Sequence, residues 1–328
     1  MDSTRRNALF CYLLAVATTT LFASPVAAQQ YPSKPIRLIV PLSAGGAGDL
    51  LGRIVAEGLA EYLKQPVIVD NRAGANGIIG MQAVVSAPPD GYTLLFASTG
   101  NIAINPGMYG PKLPFDTEKD LLAITEVAEA SQVLTVHPSF PATSVRELID
   151  LAKAKPGKYD YVSAGNGSTT HLNFAMFASM AGIDLVPITF RGANPGQLAQ
   201  LAGQVPILMD SFLHALENVK AGKVRALGVA SPKRSPLLPD VPAIAETVPG
   251  YAAMAWYGIF APVGTSREIV SKLHDATLAV LRNPEIKARL ARQGTDVVGN
   301  TPAEFSAYIK TEVVKWTKVV KETGVKGE

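Results

Sequence analysis

Four loops that each follow a short apolar strand constrain the fold of this chain more than any other feature. The first strand, predicted at 36–40, runs into Gly45, Gly46 and Gly48, where glycine lets the backbone turn tightly and lets a ligand approach closely. The four loops, at 41–48, 98–101, 164–170 and 191–195, hold Gly, Ser, Thr or Asn. Ligands in open α/β sheets bind beyond the carboxyl ends of strands, so this repetition predicts a site built from several loops. Taken alone, each loop also suits an ordinary strand-to-helix connection.

Alternating strand and helix patterns indicate an α/β fold. Between the strands lie amphipathic segments such as 53–64, in which apolar residues recur at helical spacing. Ser144 with Glu147 predicts a helix start, and Thr301 with Glu304 predicts another. Such alternation predicts mostly parallel sheets with helices on their faces. The predicted strands lie at 36–40, 67–70, 92–97, 133–136, 159–163, 185–190, 205–209, 225–230 and 256–260.

Residues 1–28 have the pattern of a secretory signal peptide. Arg5 and Arg6 precede an apolar run at 8–23, which is too short to span a membrane comfortably. Small residues end the segment, and we expect cleavage after Ala28. The single cysteine, Cys11, lies inside this segment. The mature chain is therefore expected to have no disulfide, no thiol nucleophile and no cysteine metal ligand.

The charge balance argues against a nucleic-acid partner. The chain has 30 Lys and Arg against 27 Asp and Glu, a formal net charge of +3, and no basic stripe. No stretch after the leader approaches the ~20 apolar residues of a membrane span. The length suggests roughly two domains. We therefore expect an exported protein of two α/β units.

The second half of the chain holds several polar candidates for a binding site. Ser168 and Thr169 stand at a predicted helix start, where hydroxyls and free N–H groups can hold a carboxylate. Each could equally serve only as an N-cap. Arg191 ends a predicted strand and could pair with a ligand carboxylate or remain solvated. Asp210 could orient a loop or accept a hydrogen bond from a ligand, and the orienting role is favoured.

Enzyme motifs are missing from the sequence. There is no G-x-S-x-G nucleophile elbow and no phosphate-binding loop, and the glycine loops lack the third glycine of a dinucleotide fingerprint. The four histidines lack metal-ligand spacing, so we expect no catalytic residues, no metal and no cofactor. Two alternatives stay open. One is a secreted hydrolase with Ser168 or Ser43 as nucleophile and His171 as base, and the other is a ligand sensor for a signalling partner.

A series of short motifs runs in order through the whole mature chain. They include Pro41…Gly45-Gly46-Ala47-Gly48-Asp49, Val69-Asp70-Asn71-Arg72-Ala73-Gly74-Ala75-Asn76-Gly77, Asp90-Gly91-Tyr92-Thr93-Leu94, Ser163-Ala164-Gly165-Asn166-Gly167-Ser168, Phe190-Arg191-Gly192 and Leu238-Pro239-Asp240-Val241-Pro242. In these motifs the chain resembles the substrate-binding proteins of tripartite tricarboxylate transporters, the Bug-type periplasmic solute receptors.

The resemblance implies a two-lobed periplasmic binding protein of type II, which closes on its ligand like a flytrap. Lobe 1 would comprise 29–127 and 254–305, and lobe 2 would comprise 128–253. The C-terminal helix, 306–328, would pack back toward lobe 2. A ligand cleft would lie between the lobes.

The resemblance also implies a ligand, a partner and contact residues. The ligand would be a small organic carboxylate, and the partner would be the membrane permease of a tripartite tricarboxylate-type transporter. Departures at Leu42, Ser43 and Gln200 leave aliphatic di- or tricarboxylates, amino acids and aromatic carboxylates such as terephthalate all open. The implied ligand contacts are Ser43, Ala44, Gly45, Gly46, Ser168, Thr169, Gly192, Ala193 and Asp210.

Overall fold

Two β-sheets flanked by helices carry the fold of this protein. The computed structural model describes residues 31–292 and 294–325, so the signal peptide predicted at 1–28 lies outside the described residues. From Lys34 onward the chain forms one compact unit. The strands are β1 (Ile36–Val40), β2 (Val67–Asn71), β3 (Thr93–Ser98), β4 (Leu121–Ala130), β5 (Gln132–Val136), β6 (Asp160–Ser163), β7 (Val186–Thr189), β8 (Ile207–Ser211), β9 (Arg225–Val229), β10 (Ala255–Pro262) and β11 (Thr295–Val297).

Helices connect most of these strands. The α-helices are α1 (Ala47–Leu63), α2 (Ile78–Val85), α3 (Asn105–Tyr109), α4 (Val145–Ala154), α5 (Thr169–Ala181), α6 (Ala193–Leu201), α7 (Phe212–Lys220), α8 (Arg267–Arg282), α9 (Pro284–Arg292) and α10 (Pro302–Thr323). A π-helical turn, Gly100–Ile104, leads into α3 where the sequence predicts a polar loop at 98–101. None of the helices within the described residues is long and apolar enough to cross a membrane.

Both sheets are mixed: most strands of each sheet run in one direction, as expected, and antiparallel strands lie among them. In the first sheet, of order β11-β4-β10-β3-β1-β2, β1 is parallel to β2 and β3, whereas β10 is antiparallel to β3 and β4. In the second, of order β7-β6-β8-β5-β9, β6 is parallel to β7 and β8, whereas β5 is antiparallel to β8 and β9. The antiparallel pairs β4–β10 and β5–β9 join the strands through which the chain leaves or enters a sheet, whereas β11 pairs antiparallel with β4 at the edge of the first sheet. The two-lobed α/β fold itself is confirmed.

The chain passes between the sheets twice. It leaves the first sheet at the end of β4 and enters the second two residues later, at the start of β5. It returns between the end of β9 and the start of β10, through a segment that is rich in proline. We refer to the part built on the first sheet as the first lobe and the part built on the second as the second lobe.

The C-terminal helix α10 contacts both lobes. It begins with the predicted capping box, because Thr301 Oγ1 accepts from Glu304 N at 3.2 Å and a Glu304 carboxylate oxygen accepts from Thr301 N at 2.9 Å. The helix contacts α5 of the second lobe, and it also contacts β4 and the segment 100–109 of the first lobe. Its packing is therefore shared between the lobes, and the helix starts at Pro302, directly after the predicted cap.

One apolar core runs through both lobes. It contains Leu95 and Phe260 from the first sheet, Leu134 and Met209 from the second, and Trp316 from α10. Trp316 is fully buried, as is Trp256 on β10. This continuous core fixes the crossing strands, which are the strands β4, β5, β9 and β10 at which the chain passes between the sheets. The loops at the sheet ends are therefore held in a defined position.

Candidate functional site

The glycine turn between β1 and α1 leaves its backbone open. Ser43, Ala44 and Gly45 are exposed. Gly45 has a φ of +79°, a left-handed conformation that favours glycine, and a side chain there would meet no described atom within 4 Å. Gly46 is the N-cap of α1 and provides no side-chain cap, so a ligand can approach the first amides of this helix.

Asp49 holds the glycine turn in shape. Its buried carboxylate accepts hydrogen bonds from Gly45 N at 2.8 Å, Arg53 Nε at 3.1 Å and Asn71 Nδ2 at 2.9 Å. Burial alone would raise the pKa of Asp49, but these donors outweigh burial and lower the pKa below its ordinary value. The Gly45 amide is therefore engaged by Asp49, and the open part of the turn is formed by Ser43 and Ala44.

The loop before α5 is fixed by two local hydrogen bonds. Ser168 is the N-cap of α5, and its Oγ accepts from His171 N at 3.2 Å. Gly167 N donates to His171 Nδ1 at 3.1 Å. Burial lowers the pKa of His171, so the ring is neutral and carries its proton on Nε2. Ser168 keeps its hydroxyl proton for a further bond to a ligand.

These bonds also argue against a hydrolase with Ser168 as its nucleophile. His171 Nδ1 accepts from the Gly167 amide, and the Ser168 hydroxyl accepts from the His171 amide rather than donating to the imidazole. A serine nucleophile needs its side chain hydrogen-bonded to the base. Across the described residues, no group of three or more His, Cys, Asp or Glu side chains could hold a metal ion.

The loop before α6 lies beside the loop before α5. Phe190 N donates to Ser163 O at 2.8 Å, and Gly192 N donates to Ala164 O at 3.2 Å. Gly192 has a φ of +107° and is the N-cap of α6, again without a side-chain cap. Ala193, the first residue of α6, is exposed. The structure thus brings two helix N-termini, and the predicted contacts on them, to one edge of the second sheet.

Asp210 is hydrogen-bonded to α6. One carboxylate oxygen accepts from Gln197 Nε2 of α6 at 2.9 Å, and the other accepts from Ser211 N at 2.8 Å. Burial raises the pKa of Asp210 to about 6, although His214, 3.9 Å from the carboxylate, opposes that shift. In this geometry Asp210 links the end of β8 to α6, and its contact with a ligand stays a prediction.

Three loops of the first lobe meet at the ends of β1, β2 and β3. A Cβ on Gly77 would lie 3.0 Å from Pro41 O, and it would clash with the Asn101 side chain. Asn101 Nδ2 donates to Asn76 O at 3.0 Å. The glycine turn, the 74–77 turn and the π-helical turn therefore lie together at one edge of the first sheet.

Asn76 joins this edge to the second lobe. It has a φ of +50°, a left-handed conformation that asparagine tolerates better than most residues. Its Nδ2 donates to Asn105 Oδ1 at 2.6 Å and to Gly167 O of the second lobe at 3.3 Å. Nearby, a Cβ on Gly100 would lie 3.0 Å from Thr169 Oγ1. The polar loops of the two lobes thus face each other, and we call the region between them the cleft.

The predicted site residues fall into two groups on either side of this cleft. Ser43–Gly46 belong to the first-lobe edge, and Ser168, Thr169, Gly192 and Ala193 belong to the second-lobe edge. Sequence reasoning missed Asn76 and Asn105, although an asparagine between glycines in the predicted 74–77 turn was a usable signal. Arg191 is exposed beside Gly192.

A separate cavity of about 690 Å³ lies near the crossing strands. It is lined by residues of both lobes, including Glu129, Phe212, Lys233, Arg234 and Lys315. None of the predicted ligand contacts lines it. It borders β11 and the segment after β9, whereas the cleft borders β1, β3, β6 and β7.

Comparisons with known proteins identify the family. The sequence model for the tripartite tricarboxylate transporter family receptor matches residues 51–325. Protein BugT of Bordetella pertussis is 34% identical over 328 residues, which cover 99% of each chain.

Solved structures agree with this match. The structure of periplasmic binding protein BugD has a TM-score of 0.83 and 31% identity, covering 91% of this chain and all of its own. An R. palustris protein solved with adipate has a TM-score of 0.85 and 32% identity, covering 90% of this chain and 99% of its own. These relatives are solute-binding receptors, which confirms the expectation of a binding protein rather than an enzyme. The chain belongs to the tripartite tricarboxylate transporter receptor family.

Proposed function

We propose that this protein binds a small organic carboxylate in the cleft and delivers it to the membrane permease of a tripartite transporter. It would act in the periplasm as a monomer, after cleavage of residues 1–28. The observation that carries the proposal is the convergence of the α5 and α6 N-termini, linked through Gly192 N and Ala164 O, opposite the exposed first-lobe turn. The adipate-bound structural relative supports a carboxylate as the ligand class.

The second lobe supplies the donors in this proposal. Helix N-termini carry partial positive charge and free N–H groups, so they favour an anion. The Ser168 hydroxyl, which accepts from His171 N, still donates its proton, and Thr169 adds a second hydroxyl. Gly192 and Ala193 supply backbone at the adjacent helix start. Bonds from neutral donors to a carboxylate are charge-assisted and therefore strong.

The first lobe completes the site by closure. Ser43, Ala44 and the amides at the start of α1 reach the ligand from the other side, directly or through water. A ligand that contacts both lobes binds the closed form better than the open form, and so shifts the population toward closure. The permease would then recognise the closed form.

The test is ligand binding by the purified mature chain. Thermal-shift screening against aliphatic, amino and aromatic carboxylates should reveal at least one stabilising anion, and calorimetry should give its Kd. Ser168→Ala combined with Thr169→Ala should weaken that anion at least tenfold, because two hydroxyl donors are lost. Ser144→Ala is the matched control, since Ser144 caps α4 through Glu147 N at 3.2 Å, away from the cleft.

Two results would count against the proposal. One is the absence of stabilisation by any carboxylate at millimolar concentration. The other is unchanged affinity in the double variant, which would show that the ligand binds elsewhere. Because loss of an N-cap costs about 1 kcal/mol of stability, both variants are compared well below their melting temperatures.

A further inference from the structure

Two buried polar atoms beside the crossing strand β5 have no hydrogen-bond partner within the described residues. They are Asn173 Oδ1 on α5 and Ser211 Oγ at the end of β8. Asn173 is fully buried, with 0% of its surface exposed. Buried polar atoms are nearly always paired, so two unpaired atoms in one region point to a partner from outside the chain. The third such atom, Glu126 Oε1, lies on β4 of the first sheet.

Gln132 connects the two atoms in space. Gln132 Oε1 accepts from Asn173 Nδ2 at 2.5 Å. Gln132 is also the register partner of Ser211 in the antiparallel pair of β5 and β8, so the side chains of both residues point to the same face of the sheet. On that face Leu134 and Met209 pack into one core cluster with Phe174 of α5. Asn173 and Ser211 are therefore both neighbours of Gln132.

Ser211 also departs from the serines that cap other helices. Ser144, Ser168 and Ser266 each occupy an N-cap and accept from an amide three residues on. Ser211 is the N-cap of α7, yet its side chain makes no cap hydrogen bond. Its hydroxyl is therefore available to a partner on the Gln132 side.

This group of three residues lies at the inner end of the cleft. Asn173 follows Thr169 by four residues, so both lie on one face of α5, with Asn173 about 6 Å deeper along the helix axis. Thr169 faces Gly100 of the first lobe. Ser211 ends β8 at the same sheet edge as the loop that follows the parallel strand β6. Separation of the lobes along the Thr169–Gly100 contact would open this end of the cleft.

We propose that Asn173 and Ser211 form a subsite for a hydroxyl group on the bound carboxylate, so that the ligand is a hydroxycarboxylate. The hydroxyl donates to Asn173 Oδ1 and accepts from the Ser211 hydroxyl, which satisfies both unpaired atoms. A methylene group can do neither, and an ammonium group can only donate and would bring a charge among neutral side chains. This inference rests on the proposed carboxylate binding in the cleft.

The experiment compares matched ligands by calorimetry with the mature chain. Malate is compared with succinate, 2-hydroxyglutarate with glutarate, and aspartate serves as the ammonium counterpart of malate. Within each pair for which binding is detected, the hydroxylated acid should have a Kd about tenfold lower than that of the unhydroxylated acid, since the latter leaves two buried groups unpaired. Ser211→Ala should reduce this preference to about threefold or less and leave the affinity for the unhydroxylated member nearly unchanged.

Asn173→Leu provides a second variant of similar volume, and it should also remove the preference. Ser144→Ala, which loses a remote cap, should retain it. Equal affinity for the members of each pair would overturn the subsite, as would full preference in both variants or tighter binding of aspartate than malate. Absence of binding by every carboxylate would instead refute the proposed function, so the two failures are distinguishable.

Discussion

Asn76 makes the side-chain hydrogen bond that joins the polar loops of the two lobes, and its removal tests whether this bond holds the cleft closed. The bond to Gly167 O is long, at 3.3 Å, so we assign it about 0.5–1.5 kcal/mol, which corresponds to roughly 2- to 10-fold in an equilibrium constant. If the bond forms on closure, its loss should raise the rate of ligand release by that factor. The association rate should change little, because the open form is not affected.

Glycine is the appropriate replacement at this position. Asn76 has a φ of +50°, so Asn76→Ala would add the cost of a left-handed alanine, about 1–2 kcal/mol, to the loss of the amide. Asn76→Gly removes the amide and accepts the backbone conformation. Both variants leave Asn105 Oδ1 without its bond from Asn76, so each should also lower the free energy of unfolding.

Surface plasmon resonance with an immobilised mature chain and a carboxylate from the screen separates the two rates. Asn105→Ala is the matched control, because it removes the partner of Asn76 in the first lobe and leaves the Gly167 bond possible. Unchanged release rates in Asn76→Gly, at a temperature where the variant is folded, would refute the closure role.

Two further predictions concern ionisable groups. Asp49→Ala should lower the free energy of unfolding, measured by urea denaturation, by about 2–4 kcal/mol, because it leaves the Gly45 and Asn71 donors without their acceptor. Since the pKa of Asp49 is lowered, its contribution to stability is present at neutral pH and is lost in acid. A variant that loses stability equally at pH 7 and pH 3 would contradict this role. Burial, with a smaller effect from Glu129, raises the pKa of Glu126 to about 8, so the stability of the protein should fall as the pH rises from about 4.5 to 8. The melting temperature of Glu126→Gln should depend less on pH across this window. A pH dependence as steep as that of the unsubstituted protein would be evidence against this role of Glu126.

Local signals in the sequence located most elements but not their pairing. Thr301 with Glu304 predicted a capping box that the structure confirms. Ser144 does cap α4, but the Glu147 carboxylate accepts from Thr143 rather than from Ser144. Strand β4 was not predicted, because Glu126 and Glu129 interrupt its apolar pattern, and it becomes a strand through its pairing with β10 and β11. Strand direction depends on such distant partners, which is why the antiparallel directions of β5 and β10 were not predicted.

The candidate site was predicted in part for a similar reason. Glycines and hydroxyl residues after strands marked the loops at 41–48, 164–170 and 191–195. The role of Asn76 depends on a contact with Gly167, 91 residues further along the chain, and no local pattern reports such a contact. The 98–101 segment reads as a polar loop, yet it is buried, because Asn101 Oδ1 accepts from both Ser98 N and Ser98 Oγ. Side-chain hydrogen bonds of this kind satisfy polar groups that would otherwise bond to water, so a polar segment can be buried, and composition alone does not show this.

A crystal structure of the mature chain with its tightest carboxylate would show directly where the ligand binds. We predict a carboxylate group within hydrogen-bond distance of the Ser168 and Thr169 hydroxyls, with the first-lobe turn at 43–46 on its other side. Ligand bound instead in the cavity lined by Lys233, Arg234 and Lys315, with the cleft left to solvent, would contradict it.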